Sequence, residues 1–144
     1  MGEQLVVDAN VIAKLYLRDE QYIANADILF TKFQQGEVEL VAPRLVTYEV
    51  PAAMKKAIAQ ARVGEQTGHD AIRSLEQLGL VIIDDSEAKH EAFRLAINYG
   101  CTYYDAIYLL LAEDLDCPFI TADDKLWRPL HHSLPYIVRL ASYS

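Results

Sequence analysis

No apolar run in this 144-residue chain is long enough to span a bilayer, which takes about 20 residues as a helix. The longest, AIYLLLA at 106–112, is bounded by Asp105 and Glu113. The N-terminus, MGEQLVVDAN, has neither a basic leader nor a long apolar stretch. That argues against export through a cleaved signal, so the expected compartment is the cytoplasm, with no membrane partner. Cysteine is scarce: Cys101 and Cys117 lack the spacing of a zinc knuckle or a C-x-x-C pair and read as small core residues. His131 and His132 have no nearby cysteine and no H-E-x-x-H frame, which argues against zinc. Basic residues are in deficit as well, 13 against 21 acidic ones, for a net charge of -8. A protein that grips nucleic acid by bulk charge needs the opposite balance.

What the chain does have is 52% hydrophobic residues, enough to bury a core unaided. With no internal repeat and no Pro/Gly/Ser-rich linker, residues 1–144 are expected to form one domain. Short apolar runs at 5–7, 38–42, 80–84, 118–121 and 136–140 have the length of strands, and helical periodicity fills the intervals. Ile23, Ala26, Leu29, Phe30 and Phe33 trace one helix, stopped by Gly36. Leu45, Val46, Val50, Ala53, Ala57, Ile58 and Ala61 trace a second, which Pro51 is expected to bend or make irregular near its start. Further helices are expected over 67–78, over 86–99 behind a capping box Asp84-x-x-Glu87, and over about 103–116. Alternating strands and helices predict an α/β fold with a mostly parallel sheet covered on both faces, whose ligands lie beyond the carboxyl ends of the strands.

Four acids fall where that edge should be. Asp8 ends the first run, Glu49 lies on the helix after the second, Asp105 opens the apolar helix, and Asp123 follows FIT. Most carboxylates cap helices or join surface ion pairs. A helical ion pair needs a partner three or four residues away, and Glu49 has Leu45, Val46, Ala52 and Ala53 there; Asp105 has Cys101, Thr102, Tyr108 and Leu109. Neither has a basic neighbour. Capping competes for Asp105, since Thr102-x-x-Asp105 fits the capping box with Asp in place of Glu. Thr121 as a cap would set Asp124 at the position that reaches back and leave Asp123 free, so Asp123 is preferred to Asp124.

Four charges about 5 Å apart at an effective dielectric near 20 repel by roughly 3 kcal/mol a pair, or about 20 kcal/mol over six pairs. Divalent cations reverse that sign, and oxygen-only ligation selects Mg²⁺ or Mn²⁺ over zinc. The matching chemistry is in-line attack of activated water on a phosphodiester. It also reconciles an acidic protein with a polyanionic substrate.

Three stretches together, VVDANVIAKLYL (6–17), PRLVTYEV (43–50) and YYDAIYLLLAEDLDCPFITADDKLW (103–127), resemble PIN-domain ribonucleases, most closely the VapC-like toxins of type II toxin–antitoxin pairs. The resemblance covers nearly the whole chain. It implies a PIN-like three-layer fold, a sheet of four to five short, mostly parallel strands flanked by helices, RNA as substrate, Mg²⁺ or Mn²⁺ as cofactor, a homodimer and a cognate antitoxin. By motif, the family's metal-binding acids fall on Asp8, Glu49, Asp105 and Asp123. Asn10 and Thr121 fall where small polar residues orient the acids or water. Pro51, two residues beyond Glu49, departs from the pattern and bears on where that carboxylate sits.

Lys55, Lys56 and Arg62 are expected on one helix, 55 and 62 two turns apart on a shared face, forming either a solvated face or an RNA-contacting patch. Lys14, Arg18, Arg44, Lys125 and Arg128 follow the acids and are candidates for a basic rim. Tyr103 and Tyr104 read as packing residues, with base stacking as the alternative. Two other functions compete with the nuclease: a PIN-fold binding module with little catalysis, and an aspartyl-phosphate phosphatase suggested by Asp8-x-Asn10. The second is disfavoured because Asn10 cannot donate and retake a proton.

Overall fold

The computed structural model describes residues 2–144. Five strands, β1 (Glu3–Val7), β2 (Val38–Pro43), β3 (Val81–Ile83), β4 (Phe119–Thr121) and β5 (Ile137–Arg139), form one sheet in the order β3-β2-β1-β4-β5, with every pair parallel. Leu5, Val6 and Val7 are all buried, as are Leu40, Val41 and Ala42. Consecutive buried residues point to opposite faces of a strand, so helices must cover the sheet on both sides. Each such Val or Leu contributes about 1.5–3 kcal/mol of burial.

The helices are α1 (Ala9–Ile12), α2 (Ile23–Gln34), α3 (Val46–Ala59), α4 (Glu65–Gln77), α5 (Lys89–Tyr99), α6 (Tyr103–Leu115) and α7 (Asp124–Leu130), with 3-10 turns at Ala13–Leu15 and Leu140–Ser142. From β1 the chain winds outward to β2 and β3, then crosses back to β4 and winds the other way to β5. Right-handed crossovers therefore set α2 and α3 against one face and α6 against the other. The reversal makes the gap between β1 and β4 the topological switch point, the place where ligands of open parallel sheets bind. None of these helices is long and apolar enough to cross a membrane.

The apolar helix lies inside, as its composition requires: Ala106, Ile107, Tyr108, Leu109, Leu110 and Ala112 of α6 are buried. The Tyr108 ring stacks on Phe119 of β4 with centroids 5.6 Å apart. That contact seats α6 on the sheet one turn below Asp105.

Two local expectations are corrected. Asp84 does not cap a helix at 86; its carboxylate accepts from the Ser86 N–H and hydroxyl at 3.1 and 3.0 Å, and α5 begins only at Lys89. A short acidic side chain that closes a turn on the next residues competes with capping, and here it wins. Likewise Thr121 is not the cap of α7, because Asp123 takes that place, its Oδ1 accepting from Lys125 N–H at 3.0 Å. Gly100 closes α5 in the left-handed conformation (φ 67°), as a terminal glycine should. Helix α3 runs through Pro51 to Ala59, its first turn already formed at Glu49.

Candidate active site

The site is built at the carboxyl ends of β1 and β4. Asp8 follows Val7 directly, its N–H bonded to Ile120 O across the sheet at 3.0 Å, and only 7% of it is exposed. Thr121, fully buried, donates its hydroxyl to Asp8 Oδ2 at 2.8 Å and accepts from the Asp123 N–H at 3.1 Å. Asn10 also joins the two strand ends. Its Nδ2 donates to Asp8 Oδ2 at 3.2 Å, and its Oδ1 accepts from Ala122 N–H at 3.1 Å. These bonds orient one oxygen of Asp8 and leave the other uncommitted by any side chain.

Glu49 enters from α3, whose start is held by Asp85: the carboxylate at the end of β3 accepts from Leu45 N–H at 3.0 Å. Asp105 enters from α6, whose first turn is capped by the Thr102 hydroxyl accepting from Asp105 N–H at 3.0 Å. Asp105 thus takes part in the cap, and its carboxyl is also within electrostatic reach of other acids. Asp123 stands across from it, and the two line one open cavity of about 270 Å³ with Thr102 and Lys125.

Burial pushes the Asp8 carboxyl up from 3.8 to about 7; the Thr121 bond opposes the rise, while the charges of Asp105 and Glu49 add to it. Glu49 is raised first by burial, with the Asp105 charge adding. Asp105 is raised first by burial, with Asp123 adding. The four acids therefore feel one another in sequence around the switch point. None of them is in a salt bridge among the described residues.

Two features show what the cluster lacks. Glu49 Oε1 is buried and has no hydrogen-bond partner, an arrangement that costs on the order of 1–3 kcal/mol unless a further group satisfies it. The donor set is oxygen alone, which suits Mg²⁺ or Mn²⁺. Among the described residues, however, no three Asp, Glu, His or Cys side chains already stand close enough to close on one ion. The residues fit a divalent cation as an all-oxygen donor set, of which Asp105 and Asp123 line the open cavity, rather than as a finished cage.

Tyr108 was not legible as part of the site. Its hydroxyl is buried without a partner, and its ionisation is driven upward by burial and by the Asp8 and Glu49 charges, so it stays a neutral phenol. It lies close enough to Glu49 for the two to act on each other's charge, but they form no direct hydrogen bond. The available signal was spacing, since Tyr108 lies three residues after Asp105 and shares its face of α6.

The basic candidates separate. Lys55 and Lys56 are exposed on α3. Arg62 does not share their helix, because α3 ends at Ala59, and its guanidinium is engaged by Asp19 and Glu20 at 2.8 and 3.0 Å. Lys14 is buried against Glu20 at 3.2 Å, and Arg18 pairs with Asp27 at 2.8 Å. Lys125 lies on the wall of the cavity; Arg44 and Arg128 are exposed. Cys101 and Cys117 are free thiols.

A wholly parallel sheet with acids gathered at its switch point defines an α/β protein whose candidate ligand site lies beyond the carboxyl ends of its strands. The chain belongs to the PIN domain family, whose profile matches residues 5–129. It is 34% identical to Ribonuclease VapC3 of Pyrobaculum aerophilum over 128 residues, 85% of this chain and 92% of that one. A crystal structure of a Pyrobaculum aerophilum protein has the same fold at a TM-score of 0.73 and 21% identity, covering 97% of this chain and 85% of that one. A toxin–antitoxin complex from Klebsiella pneumoniae superposes at a TM-score of 0.65 and 20% identity, covering 94% and 97%.

Proposed function

We propose that this protein is a metal-dependent endoribonuclease, acting as one domain over residues 1–144, and the toxin of a toxin–antitoxin pair. The observation that carries the reading is Asp8, a buried carboxylate at the switch point with Asp105 and Glu49 acting on its charge. The ribonuclease assigned to its 34%-identical relative supports the substrate class. The toxin–antitoxin neighbour supports an antitoxin as partner.

Asp8, Glu49, Asp105 and Asp123 supply the oxygens that hold Mg²⁺ or Mn²⁺. A bound ion supplies positive charge at the phosphodiester and makes the attacking water easier to deprotonate. Thr121 and Asn10 fix the orientation of Asp8. Lys55 and Lys56 offer exposed positive charge to the RNA backbone, whereas Arg62 is committed to its ion pairs. The phosphatase alternative loses support from Asn10, whose amide is used to tie β1 to β4. For a homodimer, Phe93 and Ile97 give an apolar outer face: one turn apart on α5, they are 59% and 65% exposed.

The deciding experiment incubates purified protein and the Asp8→Asn variant with RNA and Mn²⁺. Cleavage by the first and none by the second, with both folded, is the expected result. Equal cleavage by both would refute the assignment. A wild-type protein that binds Mn²⁺ yet leaves RNA intact favours the binding module instead.

A further inference from the structure

Two adjacent acids open α7, and only one of them faces the cavity. Asp123 lines it, its Oδ1 taken by the Lys125 N–H. Asp124 lies on other partners: the Tyr22 hydroxyl donates to its Oδ2 at 2.5 Å, and Arg139 Nη2 stands 3.3 Å from its Oδ1. Tyr22 belongs to the start of α2 and Arg139 to β5, so one carboxylate joins three distant segments at a single point. Arg139 is itself held, its guanidinium lying over the Trp127 ring at 4.5 Å.

Tyr22 also has a left-handed backbone, φ 65°, which non-glycine residues rarely adopt. Such a conformation persists where surrounding contacts over-determine it, and the bond to Asp124 is one of those contacts. Arg139 contributes a second effect. Its positive charge neutralises Asp124, which would otherwise be a further negative charge beside the acidic cluster.

We propose that Tyr22 and Arg139 are positioning residues: by clamping Asp124 they fix the first turn of α7 and aim Asp123 at the metal-binding mouth. The function of the clamp rests on the nuclease reading; its existence as a clamp does not. Asp124 is therefore a structural acid, and its neighbour is free to serve as a ligand.

The test reads amide hydrogen exchange residue by residue in EDTA, together with calorimetric titration of Mn²⁺, for wild type, Tyr22→Phe, Asp124→Ala and Asp124→Asn. Loss of one hydrogen bond of ordinary strength predicts exchange about tenfold faster at Lys125 and Leu126 in Tyr22→Phe and Asp124→Ala. The Asp105 amide, capped separately by Thr102, keeps its rate, which distinguishes local release from general destabilisation. Asp124→Asn, which keeps an acceptor for Tyr22 but loses the charge that Arg139 faces, exchanges at a rate between wild type and Asp124→Ala. Mn²⁺ affinity falls about fivefold to tenfold in the first two variants. Wild-type exchange at Lys125 in both overturns the clamp, and so does faster exchange with unchanged Mn²⁺ affinity. A wild-type protein that takes up no Mn²⁺ and cleaves no RNA defeats the nuclease reading instead, and the exchange rates still decide whether the clamp exists.

Discussion

The Thr121 hydroxyl, fully buried at the end of β4, donates to Asp8 Oδ2 at the end of β1 across 2.8 Å. The same oxygen accepts from the Asp123 N–H, so one side chain serves two acids of the cluster. Valine has nearly the same shape and neither function. Thr121→Val takes one of the two side-chain donors from Asp8 Oδ2, leaving Asn10, and leaves the Asp123 N–H without its acceptor, a loss of about 1–3 kcal/mol. Urea denaturation should show it as a lower midpoint at unchanged slope, with Thr121→Ser close to wild type. A valine variant as stable as the parent would mean that the bond contributes nothing.

The acids also set a pH dependence. Asp8, Glu49 and Asp105 are all raised by burial, Asp8 to about 7, so the folded chain holds these protons more tightly than the unfolded one. Their contribution is fully present below the unfolded values and is lost as pH rises through the raised folded ones, which for Asp8 means from 3.8 to about 7. For Asp8 the displacement corresponds to roughly 4 kcal/mol at about 1.4 kcal/mol per pH unit. Asp19, Asp27 and Asp84 are lowered, the first two by hydrogen bonds to Arg62 and Arg18 and the third by bonds from Ser86; their opposite contribution is lost only on acidification below about 4. The metal-free protein should therefore melt several degrees higher at pH 5 than at pH 8. A melting temperature that is flat or rising over that interval contradicts the burial of Asp8.

The basic patch divides on partners. Replacing both Lys55 and Lys56 by alanine should raise KM for RNA severalfold and flatten its salt dependence, with kcat preserved, because they would act only on the phosphate backbone. Arg62→Ala should leave KM alone and lower stability only slightly, as loss of an exposed, solvent-screened ion pair does. Steady-state kinetics at two salt concentrations, with a urea melt, separates the two. The reverse pattern would place the RNA on Arg62.

How much was legible follows from the range of the forces involved. Helix α2 begins at Ile23 and α6 at Tyr103, where periodicity placed them, because burial of one face or of the whole helix governs both. The start of α5 was misplaced because Asp84 chose a local turn over a cap, two outcomes of nearly equal energy that share one sequence signature. The local sequence favours Asp123 over Asp124 through a Thr121 cap that does not form, Asp123 itself capping α7. What separates them is Tyr22, 102 residues away, and Arg139 on another strand, and no local window contains either. The burial that raises Asp8 was likewise invisible, since it depends on α3, α6 and β4 closing around one side chain.

Removal of the Asp8 charge should uncouple stability from activity. In Asp8→Asn the side-chain oxygen can still accept from the Thr121 hydroxyl, so the geometry at the β1–β4 seam is kept while the buried charge is gone. At pH 8 in EDTA the wild-type chain carries that charge without a counterion, and the variant should melt at the higher temperature, as expected where a functional site is held at the expense of the fold. Addition of millimolar Mn²⁺ should reverse the order: it raises the melting temperature of wild type by binding the folded state and raises that of Asp8→Asn little, since the variant has lost an anionic ligand. The crossover, read by differential scanning calorimetry, distinguishes a metal site from a merely strained carboxylate. If Asp8→Asn is the less stable protein in EDTA at pH 8, the Asp8 charge is favourable where it stands and no cation is needed to hold it there.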